Sequence, residues 1–180
     1  MVLKDEGAVL QALSKGEGDI AAARFRTPEN RKGYLTGPAY EETALSLYCQ
    51  RKSQIQNIQD LNGKKIGLLK KDNYEGFAQR LTQISPLAQI NLVDSTKTQD
   101  LLSNLSSKKF DCAVAENVSG DFYVRFHSNI EKITTLTDPY SLSWLLTPNS
   151  QDLLRLMQAW YQQASRCLLY TSDAADEGLG

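Results

Sequence analysis

The sequence has few of the residues from which metal centres and nucleophilic enzyme sites are built. It contains one histidine, His127, and three widely spaced cysteines, Cys49, Cys112 and Cys167. This set provides no zinc-ligand spacing, and a Ser-His-Asp triad would have to use His127. A polar Ser-Asn pair follows His127, so we expect this residue at a solvated helix end. We therefore expect no metal site and no cofactor.

The cysteines themselves have more than one interpretation. Cys49 and Cys112 both fall in segments that read as β-strands. Unpaired cysteines are among the most buried residues of folded proteins. We therefore expect buried, inert thiols at these two positions, with a disulfide or a nucleophilic thiol as the alternatives.

Sequence motifs of several functional classes are also missing. The chain has no G-x-x-x-x-G-K or G-x-G-x-x-G loop, no H-E-x-x-H and no G-x-S-x-G. Its 20 basic and 21 acidic residues give a net charge of −1, which disfavours a nucleic-acid-binding surface. It has no apolar run of about 18 residues, as a membrane span needs. Its first residues, MVLKDE, lack the basic and apolar parts of a signal peptide.

What is present is a regular alternation of helical and strand patterns, which predicts an α/β fold with mainly parallel strand pairing. A strand of small residues at 20–25 is expected to be buried on both faces, and Gly37-Pro38 is expected to form a turn. The predicted helices are 3–16, 74–84, 100–107, 118–126 and 151–165, and the predicted strands are 20–25, 43–51, 65–69, 88–93, 110–115, 130–136 and 141–146.

One helix–turn–strand pattern occurs twice. Residues 9–23 and 101–115 each carry leucines at helical spacing, a polar turn, an aspartate and then a small apolar run. Two copies about ninety residues apart predict two similar α/β lobes, although such units also recur by chance.

Two charged residues follow the strands of these repeats. Arg31 lies in a loop after the first strand, and Glu116 directly follows the second. Open α/β sheets bind ligands at the carboxyl ends of their strands. Arginine suits a carboxylate and glutamate accepts hydrogen bonds from an ammonium group, so the pair predicts a clamp for a small zwitterion. Alternatively, both are ordinary surface charges.

Five segments carry a resemblance to a known family. Residues 19–23 (DIAAA), 27–32 (TPENRK) and 37–41 (GPAYE) resemble the signature of family 3 extracytoplasmic solute-binding proteins. Residues 61–67 (LNGKKIG) are similar to the family's entry into its second lobe, and 110–116 (FDCAVAE) to its D-A-x-[IV]-x-D segment. Within this family, the AAA strand, the GPAY segment and TDPYSLSWLL look closest to the N-terminal regulatory module of the lytic murein transglycosylase F group.

The resemblance covers residues 8–166 and implies a two-lobed, periplasmic-binding-protein-like fold of type II. It implies that lobe 1 consists of 1–45 and 137–166, truncated at its N-terminus, and that lobe 2 is 46–136. Lobe closure would use a hinge near 46–49 and 136–140. The tail, 167–180 (CLLYTSDAADEGLG), resembles a translated sequencing adapter, so we expect it to be non-native and leave it out.

The resemblance also implies roles for individual residues. Arg31 would hold a ligand carboxylate, Glu116 its amino group, and Asp72 and Asn73 the helix start beside the carboxylate. Asp72 would repel a carboxylate, and Arg26 stands where amino-acid binders carry Thr or Ser. These departures favour a peptide or a more acidic ligand. Tyr40 would form an aromatic wall or pack under the expected turn.

The implied function is a non-catalytic, extracytoplasmic sensor module that binds an amino acid, peptide or muropeptide and no nucleic acid. Its signal segment would be missing from this fragment, and its partner would be a downstream catalytic domain or a membrane transporter. A stand-alone transport binder, a dehydratase-like enzyme using Glu116 as acid–base group, and a purely structural domain are the alternatives.

Overall fold

In a computed structural model, the described residues are 6–27, 33–70, 74–95 and 97–176, with side chains up to Ser165. The helices are α1 Glu6–Ser14, α2 Glu75–Ile84, α3 Thr98–Ser106, α4 Asn117–Val124 and α5 Gln151–Asp176, with short 3-10 turns at Arg51–Ser53 and Ile58–Leu61. The strands are β1 Ile20–Thr27, β2 Leu35–Thr43, β3 Leu45–Gln50, β4 Lys65–Leu69, β5 Gln89–Val93, β6 Cys112–Glu116, β7 Ile130–Thr135 and β8 Tyr140–Leu146.

The chain divides into two compact units. The first consists of Met1–Glu42 and Tyr140–Gly180, and the second of Thr43–Pro139. The chain therefore passes between the units at Glu42–Thr43 and Pro139–Tyr140, against boundaries expected at 45–46 and 136–137. Residues 46–49, expected at the hinge, lie inside β3 and are buried. Because ladder hydrogen bonds fix both edges of that strand, it is a poor place for a bend.

The first unit contains a three-stranded sheet in the order β1-β8-β2. β1 and β8 are antiparallel, with Ile20 opposite Leu146 and Thr27 opposite Ser141. One face of this sheet packs against α1, through a core made of Leu13, Ala21, Phe25 and Leu145. Gly37 of β2 lies against α5, since a Cβ there would be 3.4 Å from Met157 Cε.

The second unit contains a five-stranded sheet in the order β5-β4-β6-β3-β7. Its central strands β4, β6 and β3 are almost entirely buried. Helix α3 packs over this centre with Leu101, Leu102 and Leu105 fully buried. Gly67 of β4 permits the contact, because a Cβ there would lie 2.6 Å from the Phe110 ring and 2.8 Å from Leu101. The sheet therefore holds the end of β6 in a fixed position.

The expectation of mainly parallel pairing is wrong for the described strands. β4 is parallel to β5 and β6, but β3 is antiparallel to β6 and β7, and β1 is antiparallel to β8. A parallel neighbour needs a crossover, usually a helix. No described α-helix stands between β1 and β2, between β3 and β4, or between β7 and β8.

Three local expectations are also corrected. β1 is not buried on both faces, since Ile20 is 37% exposed and Ala22 and Arg24 are exposed. Gly37-Pro38 is not a turn but lies within β2, an edge strand of its sheet, which is the kind of strand in which proline is tolerated. Trp160, expected in the core, is 61% exposed on α5. That helix also extends beyond Ser165, through residues excluded above.

Candidate functional site

Glu116 ends β6 and occupies the N-cap position of α4, without a capping hydrogen bond from its side chain. Its backbone is extended, with φ −62° and ψ 134°, and it lies opposite Leu45 of β3. The four residues before it, Cys112–Ala115, are buried, while Glu116 itself is half-buried. The carboxylate thus emerges from a rigid strand, at the carboxyl end of the parallel β4–β6 pair. This is the sheet edge at which α/β proteins bind ligands.

Arg26 lies near the end of β1 and is held by an aromatic ring. Its guanidinium carbon is 4.3 Å from the centroid of the Tyr140 ring. Such cation–π contacts are worth about 0.5–2 kcal/mol and fix the orientation of the guanidinium. Arg24, its neighbour two residues earlier, pairs instead with Glu41 at 2.8 Å. Of these two arginines, Arg26 is the one whose guanidinium lies over an aromatic ring.

Tyr40 lies on β2, two strands away from Arg26. Its ring is 5.6 Å from the Trp144 ring, and its hydroxyl donates to the carbonyl of Ala23 at 3.5 Å. Trp144 and Tyr140 are four residues apart on β8, so their side chains project from the same sheet face. Arg26 and Tyr40 are thus both in contact with one aromatic face of the first unit, whereas Glu116 belongs to the second unit. The packing of Tyr40 occurs within a strand and not under a turn.

The remaining candidates, Arg31, Asp72 and Asn73, lie outside the described residues. Within the described ranges, no group of three or more histidine, cysteine, aspartate or glutamate side chains is arranged to bind a metal ion. No described helix combines the length and the apolar character needed to cross a membrane.

Cys49 and Cys112 form a disulfide between β3 and β6, so the expectation of unpaired thiols is wrong. The two residues are directly opposite each other, with Cα atoms 4.0 Å apart. The adjacent pair Gln50 and Asp111 is hydrogen-bonded, which makes the cysteines a non-hydrogen-bonded pair, the closer type in an antiparallel ladder. Strand register therefore brings these cysteines together.

A polar network near Glu116 was not found by sequence reasoning. The Tyr48 hydroxyl donates to Asp121 Oδ1 at 2.6 Å, and Lys132 Nζ lies 2.9 Å from Asp121 Oδ2. Burial, and then the hydrogen bond and charge of Asp121, raise the pKa of Tyr48 above its usual range. This network fixes α4, and so the residue that precedes it, against the sheet. No spacing in the sequence links these three side chains.

Each unit also contains a cavity. One of about 700 Å³ lies between α3 and α4, with the exposed rings of Phe122 and Phe126 in its lining. His127, expected at a solvated helix end, lines it too and stacks on Tyr123 with 3.7 Å between centroids. The other cavity, of about 510 Å³, lies in the first unit between the end of α1 and the turn before α5.

Comparisons with known proteins agree with this architecture. Membrane-bound lytic murein transglycosylase F of Shewanella sp. (strain MR-4) is 27% identical over 160 residues, which are 85% of this chain and 33% of that protein. The arginine-binding extracellular protein ArtP of Bacillus subtilis (strain 168) is 20% identical over 177 residues, with 87% and 68% coverage. The chain thus spans about a third of the length of the transglycosylase relatives it matches. No family model matches the sequence.

Solved structures share the fold at low sequence identity. The P235GK mutant of ArgBP from T. maritima superposes with a TM-score of 0.76 at 12% identity, covering 96% of this chain and 73% of that one. The ancestral amino acid-binding protein AncCDT-1, a precursor of cyclohexadienyl dehydratase, gives 0.75 at 17%, with 96% and 74% coverage. The expected fold class and family resemblance are confirmed. The chain is thus similar in sequence to the substrate-binding-protein-like N-terminal region of membrane-bound lytic murein transglycosylase F, and its α/β fold is the type II fold of periplasmic amino-acid-binding proteins.

Proposed function

We propose that this chain is a non-catalytic solute-binding module that closes over a small amino-acid-like or peptide ligand. The observation that carries the proposal is the similarity to lytic transglycosylase F over 160 residues, combined with a type II fold. In the full-length protein, the module would sense a cell-wall-derived ligand for a downstream catalytic domain. Ligand would act by binding the closed arrangement more tightly than the open one.

The proposed contacts divide between two chemical groups of the ligand. Arg31 would take the carboxylate, and Glu116 the ammonium group, from the end of β6. Arg26, oriented by Tyr140, would add positive charge on the side of the first unit, which favours a peptide or acidic ligand over a plain amino acid. Tyr40 would contribute its aromatic surface, and Asp72 and Asn73 the start of the second unit's first helix.

The proposed location is outside the cytoplasm. The Cys49–Cys112 disulfide is fully buried between two central strands. Disulfides form and persist in oxidising compartments such as the periplasm and are rare in the cytosol. The names of the relatives, a membrane-bound enzyme and an extracellular binding protein, support the same location.

A second candidate is a stand-alone binder that delivers its ligand to a membrane transporter. The match to ArtP covers 68% of that protein's length, which favours this alternative more than the transglycosylase match does. A dehydratase-like enzyme with Glu116 as acid–base group is a third, favoured by the resemblance to the precursor AncCDT-1. In either case the module would act in its own right and would not regulate a catalytic domain of the same protein.

A thermal-shift screen of the full chain tests the binding function. L-arginine, other amino acids and muropeptides are each added to the wild-type protein. A ligand at about 100 times its Kd stabilises by about 2.7 kcal/mol, which corresponds to a rise in Tm of about 5–10 °C for a chain of this size. Arg31→Ala and Glu116→Gln should abolish the rise. No shift with any compound would contradict the proposal.

A matched control comes from the same sheet. Glu131 of β7 pairs with Arg51 at 3.3 Å. Glu131→Gln therefore removes a comparable charge from a strand other than β6, and the ligand should still raise the Tm of this variant. Incubation of the chain with purified peptidoglycan should release no soluble glycan. Glycan release would show that the chain is itself an enzyme.

A further inference from the structure

Two consecutive backbone N–H groups at the start of β3 donate hydrogen bonds to side chains. Ala44 N–H donates to Asn117 Oδ1 at 3.1 Å, and Leu45 N–H donates to Thr137 Oγ1 at 3.0 Å. Successive N–H groups of a strand point to opposite edges, so the two acceptors lie on opposite sides of β3. This is the point at which the chain enters the second unit, directly after Glu42–Thr43.

Asn117 makes more of these contacts than Thr137. Its Oδ1 also accepts from Thr43 Oγ1 at 2.8 Å, and its backbone N–H donates to the carbonyl of Ala44 at 2.8 Å. Asn117 and Ala44 therefore exchange hydrogen bonds in both directions. Thr43 and Ala44 are 1% and 2% exposed, so water cannot readily replace the acceptor that Asn117 provides.

The position of Asn117 in the sequence connects this contact to the ligand site. Asn117 is the first residue of α4 and directly follows Glu116. The Tyr48 hydroxyl also lies 3.4 Å from the Asn117 carbonyl. One residue thus joins the backbone of Glu116 to the strand through which the chain passes from one unit to the other.

We propose that Asn117 is a positioning residue that couples the carboxylate of Glu116 to Thr43–Ala44. We call these two residues, at which the chain enters the second unit, the passage. A displacement of Glu116 is passed to the strand that enters the second unit, and the hydrogen bonds of Asn117 limit the conformations available at that strand. The part concerning ligand rests on the proposed function of Glu116. The part concerning the passage stands on the contacts alone.

The test uses the full chain without ligand. Spin labels are attached through unnatural amino acids at Gln83 on α2 and Gln158 on α5, two exposed positions in different units. Asn117→Ala should broaden the distribution of distances between the labels and speed hydrogen exchange at Ala44 by about tenfold or more. Asn117→Asp keeps an acceptor oxygen and should restore the wild-type distribution. A wild-type distribution in Asn117→Ala would overturn the proposal.

Two further variants keep the test decisive. Thr137→Val removes the acceptor of Leu45 and should speed exchange at Leu45 but not at Ala44. Thr43→Val removes one of the two hydrogen bonds to Asn117 Oδ1 at nearly constant side-chain size. It should give an intermediate broadening even if Asn117→Ala does not fold, and no broadening would count against the proposal.

L-arginine serves as the probe for the ligand part. If the wild-type chain binds it, Asn117→Ala should raise its Kd by about tenfold or more, and Thr137→Val by less than about threefold. Equal effects of the two substitutions would reduce Asn117 to a structural role. If no compound of the thermal-shift panel binds, the proposed function fails, while the label distances still decide whether Asn117 controls the passage.

Discussion

Gly16 and Lys108 occupy the same position of the same helix-ending motif, one in each unit. Both have a left-handed backbone, with φ 73° and φ 63°. Gly16 N–H donates to Leu13 at 3.1 Å, and Lys108 N–H donates to Leu105 at 3.0 Å; the following residue in each case donates five residues back. These are Schellman motifs, and they end the helices of the two sequence repeats. The repeat therefore extends from sequence pattern to backbone hydrogen bonds.

Lys108→Gly should stabilise the protein. A side chain in the left-handed region costs about 1–2 kcal/mol, a cost that glycine does not have. Part of this gain is offset by the greater freedom of glycine in the unfolded chain, so we expect a rise of about 0.5–1 kcal/mol in the free energy of unfolding, measured in urea. Gly16→Ala, the matched change in the other motif, should lower it. Destabilisation by Lys108→Gly would contradict this account.

Two helical glycines should respond in opposite directions to alanine. A Cβ at Gly120 of α4 would overlap the buried ring of Tyr48, while a Cβ at Gly76 of α2 would meet nothing within 4 Å. Overpacking a core costs about 1–3 kcal/mol, whereas glycine to alanine on an exposed helix gains up to about 1 kcal/mol. Gly120→Ala should therefore lower the melting temperature and Gly76→Ala raise it. A rise for both would show that helix propensity, and not the Tyr48 contact, dominates at Gly120.

The burial of Tyr48, and then its hydrogen bond to Asp121, predict a loss of stability at alkaline pH. The pKa of Tyr48 is raised in the folded protein above the ordinary value of 10.0. Below about pH 10 both states keep the phenol proton, so this contribution to stability is complete. Above it the unfolded chain loses the proton while the folded chain retains it. The free energy of unfolding should then fall by about 1.4 kcal/mol per pH unit from this group.

Tyr48→Phe isolates that contribution. Urea unfolding at several pH values above 10 should show a smaller loss of stability in the variant than in the wild type. At pH 7 the variant should be less stable by about 1 kcal/mol, because one hydrogen bond is lost while Asp121 keeps Lys132 as a partner. Tyr123→Phe is the neutral-pH control, since the Tyr123 hydroxyl makes no hydrogen bond within the described residues. Parallel pH curves for wild type and Tyr48→Phe would exclude the effect.

Removal of the disulfide should destabilise the second unit. The bond joins residues 63 positions apart, and cross-links of this kind contribute about 2–4 kcal/mol. A Cys49→Ala, Cys112→Ala variant should therefore melt at a lower temperature than the wild-type chain. Mass spectrometry after alkylation in denaturant without reductant should find Cys49 and Cys112 unmodified. Alkylation of both would restore the original expectation of buried thiols.

The positions of most helices and strands follow closely from the sequence, but strand β2 (Leu35–Thr43) was not predicted. Strand β4 agrees in both bounds with the predicted strand 65–69, and the helix predicted at 74–84 begins one residue later. The place of Glu116 also follows from the sequence, because a strand that ends at an acidic residue places its carboxylate at the sheet edge. Apolar spacing and turn residues are local signals, and they determine which segments become helices and strands without reference to distant parts of the chain.

The partners of those segments were decided by tertiary structure. Nothing near Cys49 indicates that Cys112 lies opposite it, because that pairing depends on the register of β3 against β6. Strand direction, the place of Pro38 within an edge strand and the hydrogen bonds from Asn117 to Ala44 depend on the same long-range pairings. Local sequence fixes backbone conformation through sterics and apolar periodicity, but register and direction are fixed by which surfaces are buried together, and that is a property of the whole chain.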